Sequence, residues 1–412
     1  MKRFLILLLA VFLVCFSASF ALATNGDNLI GVGAISRSMG GVGIAAPQDA
    51  ISAVFANPAA MCFGPYCPGS EVDFAGTLFM PKVEAKVEAF GMTSSKKSDD
   101  KVYAIPAIGL SVPIEKDLRF GLSAYGVSGL GVDYRDTGLS IGPMEAEVYT
   151  QLQIMKFSPA IAYQPSKNLS LGLGLHIDYS SLDLGEGASF NYGYGVQLGA
   201  IFMVTEGLYL GATYVSPQNV DHQNVADFDD DGKMDDLELE SPQQAGIGIA
   251  IEPVIGTLLI EADGKWINWA NAKGYEDFDW EDQWAFAVGV QVKPTKDLAL
   301  RVGYNYGNNP VKEHNDFNGA SSVNIQGVPV STFNYEYLRI IGFPAIVQHH
   351  ITAGIGYKFS KAFRIDLGYK HAFEETIKET GTDPFFGTPV TLESKLSEDA
   401  MDLQLVWNFP GM

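Results

Sequence analysis

Along most of the chain, apolar and polar positions alternate with a period of two. The cleanest case is residues 169–179, where Leu169, Leu171, Leu173, Leu175, Ile177 and Tyr179 fall on one face. Ser170, Gly172, Gly174, His176 and Asp178 fall on the other. This is the periodicity of a strand with one apolar face and one small or polar face. It fits a soluble sandwich, with the apolar face inward, and equally a membrane barrel, with that face outward.

The connections separate these readings. Residues 115–117, 166–168, 205–207, 295–297 and 360–362 are short and polar, residues 254–256 form a sixth short turn, and each is followed by a fresh alternating run. Between them lie long connections at 131–147, 218–240, 271–281, 311–346 and 376–397. Short turns at one end and long loops at the other are the habit of transmembrane barrels, with the turns periplasmic. The spacing predicts fourteen strands, near 71–81, 102–114, 118–130, 149–164, 169–182, 192–205, 208–219, 243–254, 257–269, 283–293, 298–307, 348–359, 363–373 and 399–409. The predicted fold class is all-β, an antiparallel barrel over residues 70–412. Pairs of aromatics (Trp266 and Trp269, Trp280 and Trp284, Tyr304 and Tyr306, Tyr357 and Phe359) stand where interfacial girdles belong.

Two segments break the alternation. Residues 1–23 have a basic start at Lys2-Arg3, an apolar core too short to span a membrane, and a small-x-small end at Ala21-Leu22-Ala23, as in a secretory signal peptide. Residues 24–69 come before the strands as a plug. In its centre, residues 40–61, Pro47 opens about two helical turns and Asn57-Pro58 ends them.

Asp49, Ala50, Ser52, Asn57, Pro58 and Ala59 resemble the hatch signature of the long-chain fatty-acid outer-membrane transporters, the FadL family, which includes channels for toluene and related hydrocarbons. The resemblance implies a fourteen-strand barrel closed by an N-terminal hatch. It also implies passive transport of hydrophobic molecules, with a sideways exit into the membrane among the routes. Asn57, Pro58 and Ala59 are then the plug motif. Met39, Ile44, Ile51, Val54 and Phe55 are candidates to line an apolar pocket against the wall, the alternative being packing alone. In the alternation, Arg119, Lys156, Glu261, Asp263, Lys265, Arg301, Arg364, Asp366 and Lys370 face the lumen. Mutual pairing is their bland role. Lys156, Arg301 and Lys370 are the candidates to receive a ligand carboxylate. The loop 311–346, with Phe333, Tyr335, Tyr337, Leu338, Ile340, Ile341 and Phe343, is the expected landing place for an apolar ligand.

Composition adds two constraints. The formal net charge of −21 excludes nucleic acid as an expected partner. The expected partners are a hydrophobic ligand, outer-membrane lipid and lipopolysaccharide, for a chain expected to be monomeric. Three cysteines occur, and Cys62 and Cys67, spaced C-x4-C in an oxidising compartment, are expected to pair as a disulfide.

The sharpest chemical motif is D-x-D-x-D-G-x5-E from Asp227 to Glu238, in the loop after the seventh strand. Hard oxygen ligands at alternate positions with a glycine at the turn suit Ca²⁺. The expected ligands are Asp227, Asp229, Asp231, the carbonyl of Met234, Asp236 and Glu238, with Asp235 at an ordinarily apolar position and no helices flanking the loop. The alternative is a solvated acidic tip. No organic cofactor and no enzymatic activity are expected. A non-selective porin and a calcium-dependent outer-membrane lipid hydrolase are the other functions weighed.

Overall fold

The structure, a computed structural model, describes residues 24–409 except Cys62, Pro65, Pro68, Asp100, Lys101 and Asp230. The expected signal peptide therefore lies outside the described residues, as does Cys62. Cys67 is disulfide-bonded.

Fourteen strands form the barrel. They are β1 Ser70–Ala89, β2 Tyr103–Pro113, β3 Leu118–Asp133, β4 Tyr149–Ser166, β5 Leu169–Asp183, β6 Ser189–Thr205, β7 Leu208–Val215, β8 Gln244–Val254, β9 Leu258–Ile267, β10 Gln283–Val292, β11 Leu298–Gly307, β12 His349–Lys358, β13 Phe363–Thr382 and β14 Pro389–Phe409. Each pairs antiparallel with its chain neighbour, and β14 pairs with β1 to close the sheet. Closure satisfies every edge that an open sheet would expose to hydrocarbon.

The alternation resolves outward. Leu171, Leu173, Leu175 and Ile177 are exposed, while Ser170, His176 and Asp178 are buried in the lumen. The same outward belt runs through Phe74, Leu122, Phe157, Leu198, Val288 and Leu367. The expected strands all exist. Three run about a helix-length further than their alternation suggested. β1, β13 and β14 continue above the belt, where Glu84–Glu88 pair with Lys395–Thr391 and the period inverts, with Val83, Ala85, Val87, Leu392 and Leu396 buried inside and the charged residues turned outward. The girdle assignment is corrected in part. Trp284 faces outward, but Trp269 and Trp280 are buried and pack on Tyr275, because a 3₁₀ turn at Trp269–Asn271 folds them inward.

Residues 24–61 fill the lumen, and all but the half-buried Phe55 are buried. Two short helices punctuate this plug, α1 Ala34–Arg37 and α2 Ala50–Ala56. The inward glycines of the wall exist for close approach. A side chain at Gly303 would put its Cβ 2.1 Å from the Gly40 nitrogen, and one at Gly172 would meet the Ala59 nitrogen at 2.2 Å.

Candidate functional site: plug, cavity and wall gap

The plug is held by hydrogen bonds around the wall. Asp49 caps α2 by accepting from the Ser52 N–H at 2.7 Å. Asn57 ends α2, and its Oδ1 accepts from the Ala59 N–H at 3.1 Å. Its Nδ2 donates to the carbonyls of Ile44 at 2.8 Å and of Ala200 and Ala212 at 3.2 Å each. The motif is thus a clamp between the plug and strands β6 and β7. Opposite, Glu261 accepts from the N–H groups of Ala45 and Ala46, and Asp263 from those of Gly43 and Ile44. Two lumen carboxylates therefore serve the plug backbone, which has no strand partner there.

The candidate ligand cations are otherwise engaged. Lys156 Nζ lies 3.4 Å from Asp178 and donates to Gln218 at 2.6 Å. Arg301 pairs with Asp366 at 2.7 Å and donates to Gln291. Lys370 pairs with Glu398 at 3.1 Å. Desolvation makes an unpaired lumen charge costly, so each has found a partner on another strand, Lys156 and Lys370 on the adjacent one and Arg301 across β12.

A cavity of about 290 Å³ lies beside the plug, against β1, β2, β3, β4 and β14. Its walls are mostly apolar and include Phe79, Val83, Ile105, Leu130, Leu152 and Ile154, with Leu29 from the plug and Pro344 from the long loop above. Met39, Ile44, Ile51, Val54 and Phe55 do not line it. The first four are buried against the wall, and Phe55 packs edge-on to Tyr125 at 5.4 Å. They take the packing role that the sequence left as the alternative, and among the described residues the plug adjoins the larger cavity through Leu29. A second, smaller groove under the loops is lined by Leu182, Leu237, Leu239, Tyr275, Phe278 and Phe343. Leu130 and Leu152 line both spaces and so stand between them.

The wall is interrupted beside the larger cavity. β2 pairs with β1 from Tyr103 to Ser111, but its pairing with β3 begins only at Ala107, opposite Tyr125. Beyond that point β3 pairs with β4, with a register shift between Gly126 and Ser128, and on its other edge it meets the plug instead of β2: the Leu29 N–H donates to the Val127 carbonyl at 3.0 Å and the Gly129 N–H to the Asp27 carbonyl at 3.3 Å. Pro106 has no N–H to donate, and a glycine-rich run follows on β3, so the ladder ends there. Ile105 stands in the gap, 3.9 Å from where a Cβ on Gly126 would lie. The sequence signal was present in the proline inside a strand and the Gly-Val-Ser-Gly-Leu-Gly run from Gly126, but neither says which solute-sized space they adjoin.

Above the cavity, the long loop folds into α3 Thr332–Tyr337 and a following π-helical turn, Leu338–Gly342. Phe333, Tyr335, Ile340 and Ile341 are buried there instead of forming an open landing surface. Arg339 pins the segment. It donates to the Phe278 carbonyl at 2.8 Å, pairs with Glu379 at 3.1 Å and contacts Glu336. His314 bridges Glu336 and Asp279 at 2.8 Å each. The Glu336 hydrogen bond raises the His314 pKa, and burial raises that of Glu379 to about 7.

The acidic loop is the tip of a hairpin, Gln218–Ala226 with Asp235–Ser241. Carboxylates of Asp227, Asp229 and Asp235 converge within 4.8 Å of one another. Asp227 and Asp229 accept from the Asp231 N–H, and Asp235 from the Phe228 N–H. The other expected ligands are placed elsewhere. Asp231 faces Lys233, Asp236 accepts from the Asn224 N–H at 2.8 Å, and Glu238 pairs with Lys273 at 2.6 Å. Counted from Asp227, the seventh residue is Lys233 and the ninth is Asp235. The motif's carbonyl and ninth-position ligands thus fall on those residues, and the assignments to Met234 and Asp236 are corrected.

Residues 14–191 match the family described as "Outer membrane protein transport protein (OMPP1/FadL/TodX)". No curated protein sequence matches the chain. Solved structures share its fold. The toluene transporter TodX of P. putida superposes with a TM-score of 0.67 at 19% identity, over 93% of this chain and 100% of that one. A FadL homologue of Pseudomonas aeruginosa gives 0.67 at 16%, over 95% and 100%. The toluene transporter TbuX of Ralstonia pickettii gives 0.64 at 16%, over 93% and 99%. With its closed fourteen-strand barrel and its hatch motif clamped on Asn57, the chain resembles the FadL/TodX outer-membrane transport proteins, whose family model its residues 14–191 match.

Proposed function

We propose that this protein is a passive channel for hydrophobic small molecules across the outer membrane. The observation that carries the reading is the 290 Å³ apolar cavity that ends at a wall gap filled by Ile105. A solute leaves water for the groove under the loops, gaining on the order of 25 cal/mol per Å² of apolar surface buried. It passes between Leu130 and Leu152 into the cavity. It leaves past Ile105 into the bilayer, which needs a side-chain rotation there and no release of the plug. The gradient alone drives the movement.

The family and the structural relatives named as transporters favour a channel over an enzyme. A non-selective porin would need the lumen that residues 24–61 fill. The partners of this reading are the solute and the membrane's own lipid and lipopolysaccharide, and the chain acts as a monomer. We also propose that the hairpin tip holds Ca²⁺ through Asp227, Asp229 and Asp235 as a structural ion.

The test is a reversible bar across the gap. With Ile105→Cys and Gly126→Cys, the two Cβ atoms fall within the range a disulfide spans. Oxidation should stop uptake of a labelled hydrocarbon by whole cells, and reduction should restore it. Undiminished uptake in the oxidised, cross-linked variant would overturn the sideways route.

A further inference from the structure

We propose that the channel admits uncharged apolar solutes and rejects carboxylate anions, and that Glu398 sets this selectivity. The inference rests on the transport reading above and narrows its substrate class. Among the described residues lining the larger cavity, Glu398 is the one side chain with a carboxyl group. None of them is lysine, arginine or histidine. Glu398 stands on β14 two residues from Leu396, beside Phe79 and Val83 of β1.

The cation nearest the cavity is already committed. Lys370 donates to Glu398 Oε2 at 3.1 Å and lies 5.0 Å from the centre of the Phe79 ring. Thr24, at the start of the described plug, reaches the other Glu398 oxygen at 3.5 Å. A solute carboxylate entering this space would shed its water beside a fixed carboxylate, with no free cation on the cavity wall. Burying a charge without a partner is strongly unfavourable, and a like charge adds to the cost. A neutral hydrocarbon meets neither penalty and keeps the whole gain from the apolar walls.

The entrance acts in the same direction. The outer groove hangs from two acidic connections. Residues 216–243 carry nine aspartates and glutamates against one lysine, and residues 268–282 carry five against one. Leu237, Leu239, Tyr275 and Phe278 of these connections form much of the groove. A field of that sign thins out anions at the mouth and leaves uncharged molecules unaffected.

The experiment compares two solutes with the same ring and methyl group, p-xylene and 4-methylbenzoate. Uptake of each is measured in porin-deficient Gram-negative cells, with and without the protein. The wild type should raise p-xylene uptake and leave 4-methylbenzoate at background. In Glu398→Gln the cavity wall loses its carboxylate, and 4-methylbenzoate uptake should rise on the order of tenfold while p-xylene uptake holds. Val83→Lys places a new cation on the same wall without touching the pair and should act likewise. It serves where Glu398→Gln does not assemble. Equal uptake of both solutes by the wild type overturns the inference and leaves the transport reading standing. So does an unchanged anion rate in folded variants. Failure of both solutes to exceed background overturns the transport reading, and the selectivity with it.

Discussion

Arg37 of the plug and Asp402 of the last strand form an ion pair 2.5 Å long, with both side chains almost fully buried. Arg37 also donates to Thr77 at 2.7 Å and twice to the Gly31 carbonyl, so one guanidinium ties α1, the plug's entry turn and the β1–β14 seam. The pair sits at the strands that close the barrel. It couples plug seating to closure.

Removing one partner leaves the other charged and buried. Arg37→Met should destabilise the seated plug by about 3–5 kcal/mol and raise small-ion conductance in planar bilayers. Arg37→Met combined with Asp402→Asn should recover much of the loss. Wild-type conductance in the single variant would show that the plug does not depend on this pair.

The loop cluster should respond to pH. His314 and Glu379 both hold protons more tightly in the folded loops than in an unfolded chain. Stability from such groups is fully present below their unfolded pKa and is lost as pH rises through the folded value. For Glu379 that loss runs up to about 7, and for His314 it continues above 6.5. Asp279, Glu336, Arg339 and Lys312 face the same centre. Amide exchange at residues 332–342 should therefore accelerate between pH 6 and pH 8 beyond its intrinsic base dependence. His314→Gln with Glu379→Gln should flatten the response. An unaltered response in that variant would place the pH sensitivity elsewhere.

Calcium binding separates the two ligand assignments. Isothermal titration should give a Kd on the order of 10⁻⁴–10⁻³ M, typical of extracellular sites. Asp235→Ala should abolish the heat signal, while Asp236→Ala should retain it. The reverse result would restore the assignment to Asp236. No signal in the wild type would mark the tip as a solvated acidic loop.

Much of this architecture was legible in the chain because a lipid-facing wall must keep its apolar period. Leu171 to Ile177 could not face hydrocarbon in any other pattern, and the short turns at Lys167 and Lys296 end strands whose order then follows from adjacency. The Asn57-Pro58-Ala59 stop was likewise visible, because a proline and a capping amide act on their own neighbours. What the alternation could state about Lys156, Arg301 and Lys370 was only that they point inward. Which carboxylate meets each depends on the register between strands, fixed when β14 returns to β1, and on how the plug seats. The cavity is decided at the same level. Its walls come from β1, β2, β3, β4, β14 and the plug, residues distant in sequence that closure alone brings together. Glu398 is an unremarkable position in a polar strand until Lys370, Thr24 and Phe79 converge on it.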